Sequence, residues 1–148
     1  MNRKAIVCDI DGVLLNTQFI IDEIHKLGLK GDEKWEYFYK HCNSDRVEVI
    51  EEMLNLLRVF ERDGYLPIIL TARNDKCYFE TDSKLCNCGV FAYKMYMRSY
   101  CDLRPACEVK REHLIEIMKD FDVIVFIDDD IENCKMAKDL GILALRKV

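Results

Sequence analysis

Two apolar runs, one near each end of the chain, stop abruptly at aspartates, and they constrain the fold more than any other feature. The first, Ala5-Ile6-Val7-Cys8, is followed by Asp9-Ile10-Asp11-Gly12-Val13; the second, Val123-Ile124-Val125-Phe126-Ile127, runs into Asp128-Asp129-Asp130. Short apolar runs bounded by polar residues read as strands buried on both faces of a parallel sheet. In such a sheet ligands bind just beyond the carboxyl ends of the strands. If both strands share one sheet, the five carboxylates converge at that edge and repel one another. A hard divalent cation with oxygen ligands, Mg²⁺ first among them, is the simplest compensation.

The 148 residues suffice for one domain with its own core, and half of them are apolar while a third are charged, as in water-soluble globular proteins. No apolar stretch reaches the length of a membrane span, and Met1-Asn2-Arg3-Lys4 leads straight into the first strand, so neither a membrane anchor nor a secretory signal is expected. The net charge of −5 disfavours a broad polyanion-binding surface while leaving room for a local basic groove. The eight cysteines read as reduced thiols of a cytoplasmic protein, with Cys8 inside a strand acting as a small hydrophobe. A structural zinc site from His41, Cys42, Cys77, Cys86 and Cys88 is the weaker reading, because their spacing matches no standard pairing.

No repeat or linker divides the chain. A strand is expected at 4–9 and a helix at 17–28 closed by Gly28. The aromatic segment Trp35 to Tyr39 belongs to a short helical insert. A long amphipathic helix follows, with Val47, Ile50, Met53, Leu54, Leu57 and Phe60 on one face, ending at Asp63-Gly64. Leu66 to Leu70 is a strand with Pro67 near its start. Residues 75–90 read as a helix that breaks down around Gly89, and 91–98 as a strand. A helix at 110–119, a strand at 123–127, a helix at 131–140 capped by Gly141 and a strand at 142–145 complete the series. Alternation of this kind implies a three-layer α/β/α Rossmann-like fold with a parallel sheet, here one domain over 1–148 with a small helical cap insertion near 14–46. So short an insertion leaves the cleft open to large or exposed substrates.

Four motifs in order resemble the haloacid dehalogenase (HAD) superfamily of phosphotransferases: Asp9-Ile10-Asp11-Gly12-Val13, Ile69-Leu70-Thr71-Ala72-Arg73, Lys110 opening a helix, and Ile127-Asp128-Asp129-Asp130 with Asn133. Tyr96-Met97-Arg98, Asp102-Leu103-Arg104, Val109-Lys110-Arg111-Glu112 and Phe121-Asp122-Val123 are further similar to the phosphatase domain of phage polynucleotide kinase/3′-phosphatase. The resemblance implies a Mg²⁺-dependent phosphomonoesterase acting on a 3′-phosphorylated nucleotide or nucleic-acid end, of phage or bacterial origin and working in the cytoplasm. A 5′- or 3′-mononucleotidase and a non-catalytic binding module on the same fold are the rival readings.

The resemblance also implies roles, and these suit the chemistry. Asp9 is the nucleophile, Asp11 the general acid and base, Thr71 and Lys110 the stabilisers of the phosphoryl oxygens. Gly12, Ala72, Arg73 and Arg98 are expected to contact substrate. Asp9, Asp128, Asp129 and Asp11, the last through its backbone carbonyl, are expected to hold the metal. Asp130 reads as a helix N-cap, and it stands where the resembled family usually carries an arginine. No G-x-x-x-x-G-K-[ST] loop occurs, so no kinase half is present in the sequence. Trp35, Tyr37, Phe38 and Tyr39 read as core residues or as a stacking wall for a nucleobase.

Overall fold

The structure is a computed structural model that describes residues 2–148. Five parallel strands form its central sheet. β1 (Arg3–Cys8) lies in the middle, between β4 (Leu66–Asn74) and β6 (Phe121–Asp128); β5 (Lys94–Arg98) extends the β4 side and β7 (Ala144–Arg146) the β6 side. The apolar runs seen in the sequence are the three inner strands. Alternate residues of β1 feed two cores, as the two-residue period of a strand requires. Ile6 and Cys8 pack with Ile20, Leu54, Leu57 and Leu85 on one face, Ala5 and Val7 with Leu114, Ile117, Phe126 and Met136 on the other.

Apart from Phe126 of β6, those partners come from helices on both faces. α1 (Gln18–Leu27), α3 (Glu51–Arg62) and α4 (Tyr78–Asn87) supply the first core; α5 (Ala106–Asp120) and α6 (Ile131–Asp139) supply the second. The expected three-layer α/β/α arrangement is therefore present. α1 ends at Gly28, whose φ of 65° is the left-handed conformation anticipated for a cap. Between β1 and α3 the chain also forms α2 (Asp32–His41) and a two-residue ribbon of β2 (Leu15–Asn16) against β3 (Glu48–Val49).

Three boundaries differ from the sequence reading for identifiable reasons. The amphipathic helix begins at Glu51 rather than near Val47, because residues 48–49 pair with β2 and Ile50 donates its N–H to the Leu14 carbonyl at 2.8 Å. β4 runs on through Thr71, Ala72 and Arg73 to Asn74. The helix carrying Lys110 starts at Ala106, after Pro105, so Lys110 sits one turn inside it instead of opening it. Among the described residues no helix is long and apolar enough to cross a membrane.

Register places the chemistry. Cys8 pairs with Ile69 on one side and Ile127 on the other, and the Asp9 N–H donates to the Ile127 carbonyl at 3.0 Å. Asp9, Thr71 and Asp128 thus emerge at the same carboxyl edge of the sheet.

Candidate active site

At that edge Asp9 follows the last residue of β1 and is almost fully buried. Its Oδ1 accepts the Ile10 backbone N–H at 2.8 Å, and its Oδ2 lies 3.1 Å from Lys110 Nζ. Lys110, reaching in from α5, is 1% exposed and donates to Asp128 Oδ2 at 2.7 Å. Asp128, wholly buried at the end of β6, also accepts from Asn133 Nδ2 at 3.2 Å and, through Oδ1, from the Asp130 N–H at 2.9 Å. One ammonium therefore faces two buried carboxylates. Burial pushes the Asp9 carboxyl up to about 8; Lys110 opposes the shift, while Asp128 and Asp11 reinforce it. Burial alone would lower the Lys110 pKa, but Asp9 and Asp128 outweigh it and hold the ammonium charged. Asp129, the exposed member of the three, is pushed up to about 6 by partial desolvation and by Asp128.

Asp9, Asp128 and Asp129 each bring one carboxylate oxygen within 4.8 Å of the others. All three donors are hard oxygens, and a single lysine does not balance their charge. That donor set fits a small hard dication. The Asp11 side chain is not in this group. Gly12 abuts it: a Cβ there would stand 2.2 Å from Asp129 Oδ2, and the φ of 79° already disfavours a side chain. Asp130 lies outside the group too and caps α6 as anticipated, its Oδ1 accepting the Glu132 N–H at 2.8 Å.

The Asp11 carboxylate turns instead to Arg73. Nε donates to Oδ2 at 3.0 Å and Nη2 to Oδ1 at 2.7 Å, a bidentate pair. The other three guanidinium N–H groups go to the Asn43 side chain at 2.7 Å, the Thr81 hydroxyl at 3.3 Å and the Cys42 carbonyl at 3.2 Å. All five donors of this buried arginine are thus engaged within the protein, which leaves none for the substrate contact expected of it. Asn43 Nδ2 in turn donates to Thr81 Oγ1 at 3.3 Å, closing a triangle. Asn43 and Thr81 carry no motif, and Cys42 stood out only for its thiol and not for the backbone carbonyl used here, so the sequence does not announce this anchor.

The remaining expected residues divide. Thr71 is fully buried, and its hydroxyl accepts the Arg73 N–H at 3.1 Å; it stands behind the cavity rather than on its wall. Ala72 lines the cavity and its carbonyl accepts from Arg98 Nε at 3.0 Å. Arg98 Nη1 braces the following loop through the carbonyls of Asp102 and Arg104, at 2.9 and 2.6 Å, while its Nη2 makes no hydrogen bond among the described residues. Arg104 is held by Asp102 and Glu112.

These groups open into a cavity of about 760 Å³, with Asp9, Asp11, Lys110, Asp128 and Asp129 at its floor. Trp35 (half-exposed), Phe38 and Tyr39 from α2 line it, as do Tyr100 and Leu103 from the loop after β5. Tyr37, counted with them in the sequence, points elsewhere and donates to Glu23 Oε2 at 2.8 Å. The eight cysteines are free thiols, and among the described residues none joins a group of three metal-capable side chains.

The model of the polynucleotide kinase PNKP phosphatase domain matches residues 3–146. Among curated proteins no sequence matches. Among solved structures, a chain from the Pnkp1/Rnl/Hen1 RNA repair complex superposes with a TM-score of 0.78 at 20% identity over 98% of this chain. It covers 42% of that chain, so the protein spans less than half the length of this relative. The class C acid phosphatase from Bacillus anthracis with tungstate bound gives a TM-score of 0.69 at 15% identity, covering 99% of this chain and 68% of that one. A haloacid dehalogenase-like family hydrolase from Streptococcus pneumoniae gives 0.69 at 14%, covering 98% and 84%. At these identities the structural neighbours speak for the fold, and the family match over nearly the whole chain speaks for kinship. The chain belongs to the family of the polynucleotide kinase PNKP phosphatase domain, a HAD-type phosphatase.

Proposed function

We propose that this chain is a Mg²⁺-dependent phosphomonoesterase that works through an aspartyl-phosphate on Asp9 and removes 3′-phosphates from nucleic-acid ends. The observation that carries this reading is the wiring of Asp9: Oδ1 tied to the Ile10 N–H, Oδ2 beside Lys110, and the Asp128 and Asp129 carboxylates within reach of the same small ion. An Asp9 oxygen attacks phosphorus as the bond to the ester oxygen breaks. Asp11 in its acid form gives that oxygen its proton. Asp11 then takes a proton from water as the water oxygen attacks phosphorus, releasing inorganic phosphate and the Asp9 carboxylate.

Asp9, Asp128, Asp129 and the Asp11 backbone carbonyl would hold Mg²⁺, whose chemistry is to neutralise charge on the phosphoryl group and the carboxylates around it. Lys110 opposes the burial that favours the neutral form of Asp9 and offers a point charge to the phosphoryl oxygens. Arg73 acts as a positioning residue: its two hydrogen bonds to Asp11 fix where that side chain stands in the cavity. Thr71 supports that arrangement through the Arg73 backbone. Phosphate release from a 3′-phosphorylated oligonucleotide, from 3′- and 5′-mononucleotides and from an aryl phosphate tests the reading. Turnover of the oligonucleotide should need Mg²⁺ and lead the series. Preference for 5′-mononucleotides would refute the 3′ assignment.

A further inference from the structure

A second hollow, of about 680 Å³, opens beside the first between α2 and α4. Tyr39 and Asn74 belong to both, and the Asn74 N–H donates to the Tyr39 hydroxyl at 3.0 Å, so their contact forms the sill between the two. A second link is cationic. Lys76, on the wall of the new hollow, holds its ammonium 4.8 Å over the ring of Tyr100, which lines the first cavity.

The two spaces differ in charge. The first is lined by seven carboxylates against four cationic side chains; the second by Lys40, Lys76 and Lys84 against Asp45 and Glu80. In a chain of net charge −5 this is a local reversal of sign. Its other lining groups are neutral hydrogen-bonding side chains, among them Asn43, Ser44 and Asn87. Lys84 is pre-positioned, donating to the Ser44 carbonyl at 3.0 Å. The Ser44 hydroxyl is buried and has no partner among the described residues.

We propose that this hollow is the path of the nucleic-acid strand whose 3′-phosphate occupies the first cavity: the chain crosses the Tyr39–Asn74 sill and lays its next phosphodiesters on Lys40, Lys76 and Lys84. The inference rests on the phosphatase reading above and deepens it, because a free mononucleotide has no phosphodiester to place there. The first cavity carries more carboxylates than cations in its lining, Asp32 and Asp130 among them, which disfavours a polyanion lying along it. Lysine contacts with neutral amide and hydroxyl donors read backbone rather than bases, so binding here is insensitive to sequence.

The test uses 3′-phosphorylated oligonucleotides of one to about six nucleotides, with KM measured against salt, for the wild-type chain and for the triple variant Lys40→Gln/Lys76→Gln/Lys84→Gln. KM should fall over the first few added nucleotides. The log–log salt slope should approach about 2, at roughly 0.7 per phosphate neutralised on a single strand. The triple variant should lose both effects, and the ratio of oligonucleotide to aryl phosphate turnover should drop. A length effect that survives the triple substitution overturns the proposed path. Absence of any length effect overturns it too, and leaves phosphatase activity standing. Anisotropy of a labelled oligonucleotide bound to Asp9→Asn protein, with and without the lysine changes, decides the matter without turnover. Equal binding by both proteins refutes the groove even if the phosphatase reading itself has failed.

Discussion

The two aspartates of the first motif sit two residues apart, yet they are held in different ways. Asp9 belongs to the sheet: a strand end, a buried lysine from α5 and the carboxylate at the end of the neighbouring strand fix it. Asp11 is held through the segment between β1 and α3. Its side chain is a quarter exposed, and its partner Arg73 is anchored by the Cys42 carbonyl, Asn43 and Thr81. The position of Asp9, the proposed nucleophile, is therefore a property of the fold, whereas that of Asp11, the proposed acid, depends on how the segment between β1 and α3 seats against α4. Local rearrangement of that segment should disturb proton transfer while sparing attack on phosphorus.

Removing Lys110 should have the largest effect. Lys110→Met strands two buried carboxylates, which costs about 3–5 kcal/mol, or roughly 10 °C in melting temperature for a chain this size, and should lower kcat by about a thousandfold. Calorimetry and steady-state assays check both. Arg73→Met should cost somewhat less in stability, about 2–3 kcal/mol, because Asp11 keeps contact with water. Its kinetic signature should differ. Turnover of an alkyl ester should fall on the order of a hundredfold, and that of an aryl phosphate, whose leaving group needs no proton, far less. Equal losses on the two substrates would erase the distinction between the aspartates.

Most of the sheet side was legible in the sequence, and most of the insertion side was not. Apolar runs ending in Asp9 and Asp128 announce buried strands whose ends share an edge, because burial on both faces removes any other reading of their pattern. Lys110 followed from motif order, although its helix starts a turn earlier. Arg73 was visible as a residue and read as a substrate contact, but the sequence gives no sign that a backbone carbonyl and two short polar side chains, 8 to 31 residues away, engage its donors. Likewise the apolar spacing of Val47 and Ile50 matched a helix, while Glu48 and Val49 between them pair with β2 and the Ile50 N–H donates to the Leu14 carbonyl, which holds the stretch extended. Contacts made by irregular segments leave no periodicity to read.

Gly12→Ala sharpens the comparison where the two sides meet. The added methyl collides with Asp129, so the variant should lose most of its Mg²⁺ affinity and about 1–2 kcal/mol of stability, measurable by calorimetric titration and melting. The last prediction concerns pH. The folded pKa values of Asp9, about 8, and Asp129, about 6, lie above the ordinary carboxylate value of 3.8. The folded chain therefore binds more protons than the unfolded chain in that window, and the stability of chelator-treated protein should decline as pH rises from about 4 to 8. Mg²⁺ binds the deprotonated carboxylates, so the melting temperature it restores should grow over the same range. A metal effect independent of pH would separate these groups from the ion.

The covalent step can be read directly by quenching Asp11→Asn protein in acid during turnover of an aryl phosphate with Mg²⁺ and locating phosphate by peptide mass spectrometry. That substrate allows attack without an acid, while loss of the base stalls hydrolysis of the aspartyl-phosphate. The expected result is phosphate on the Asp9 peptide, absent when Asp9→Asn is added. Turnover that persists in Asp9→Asn, or phosphate on any other residue, would contradict it.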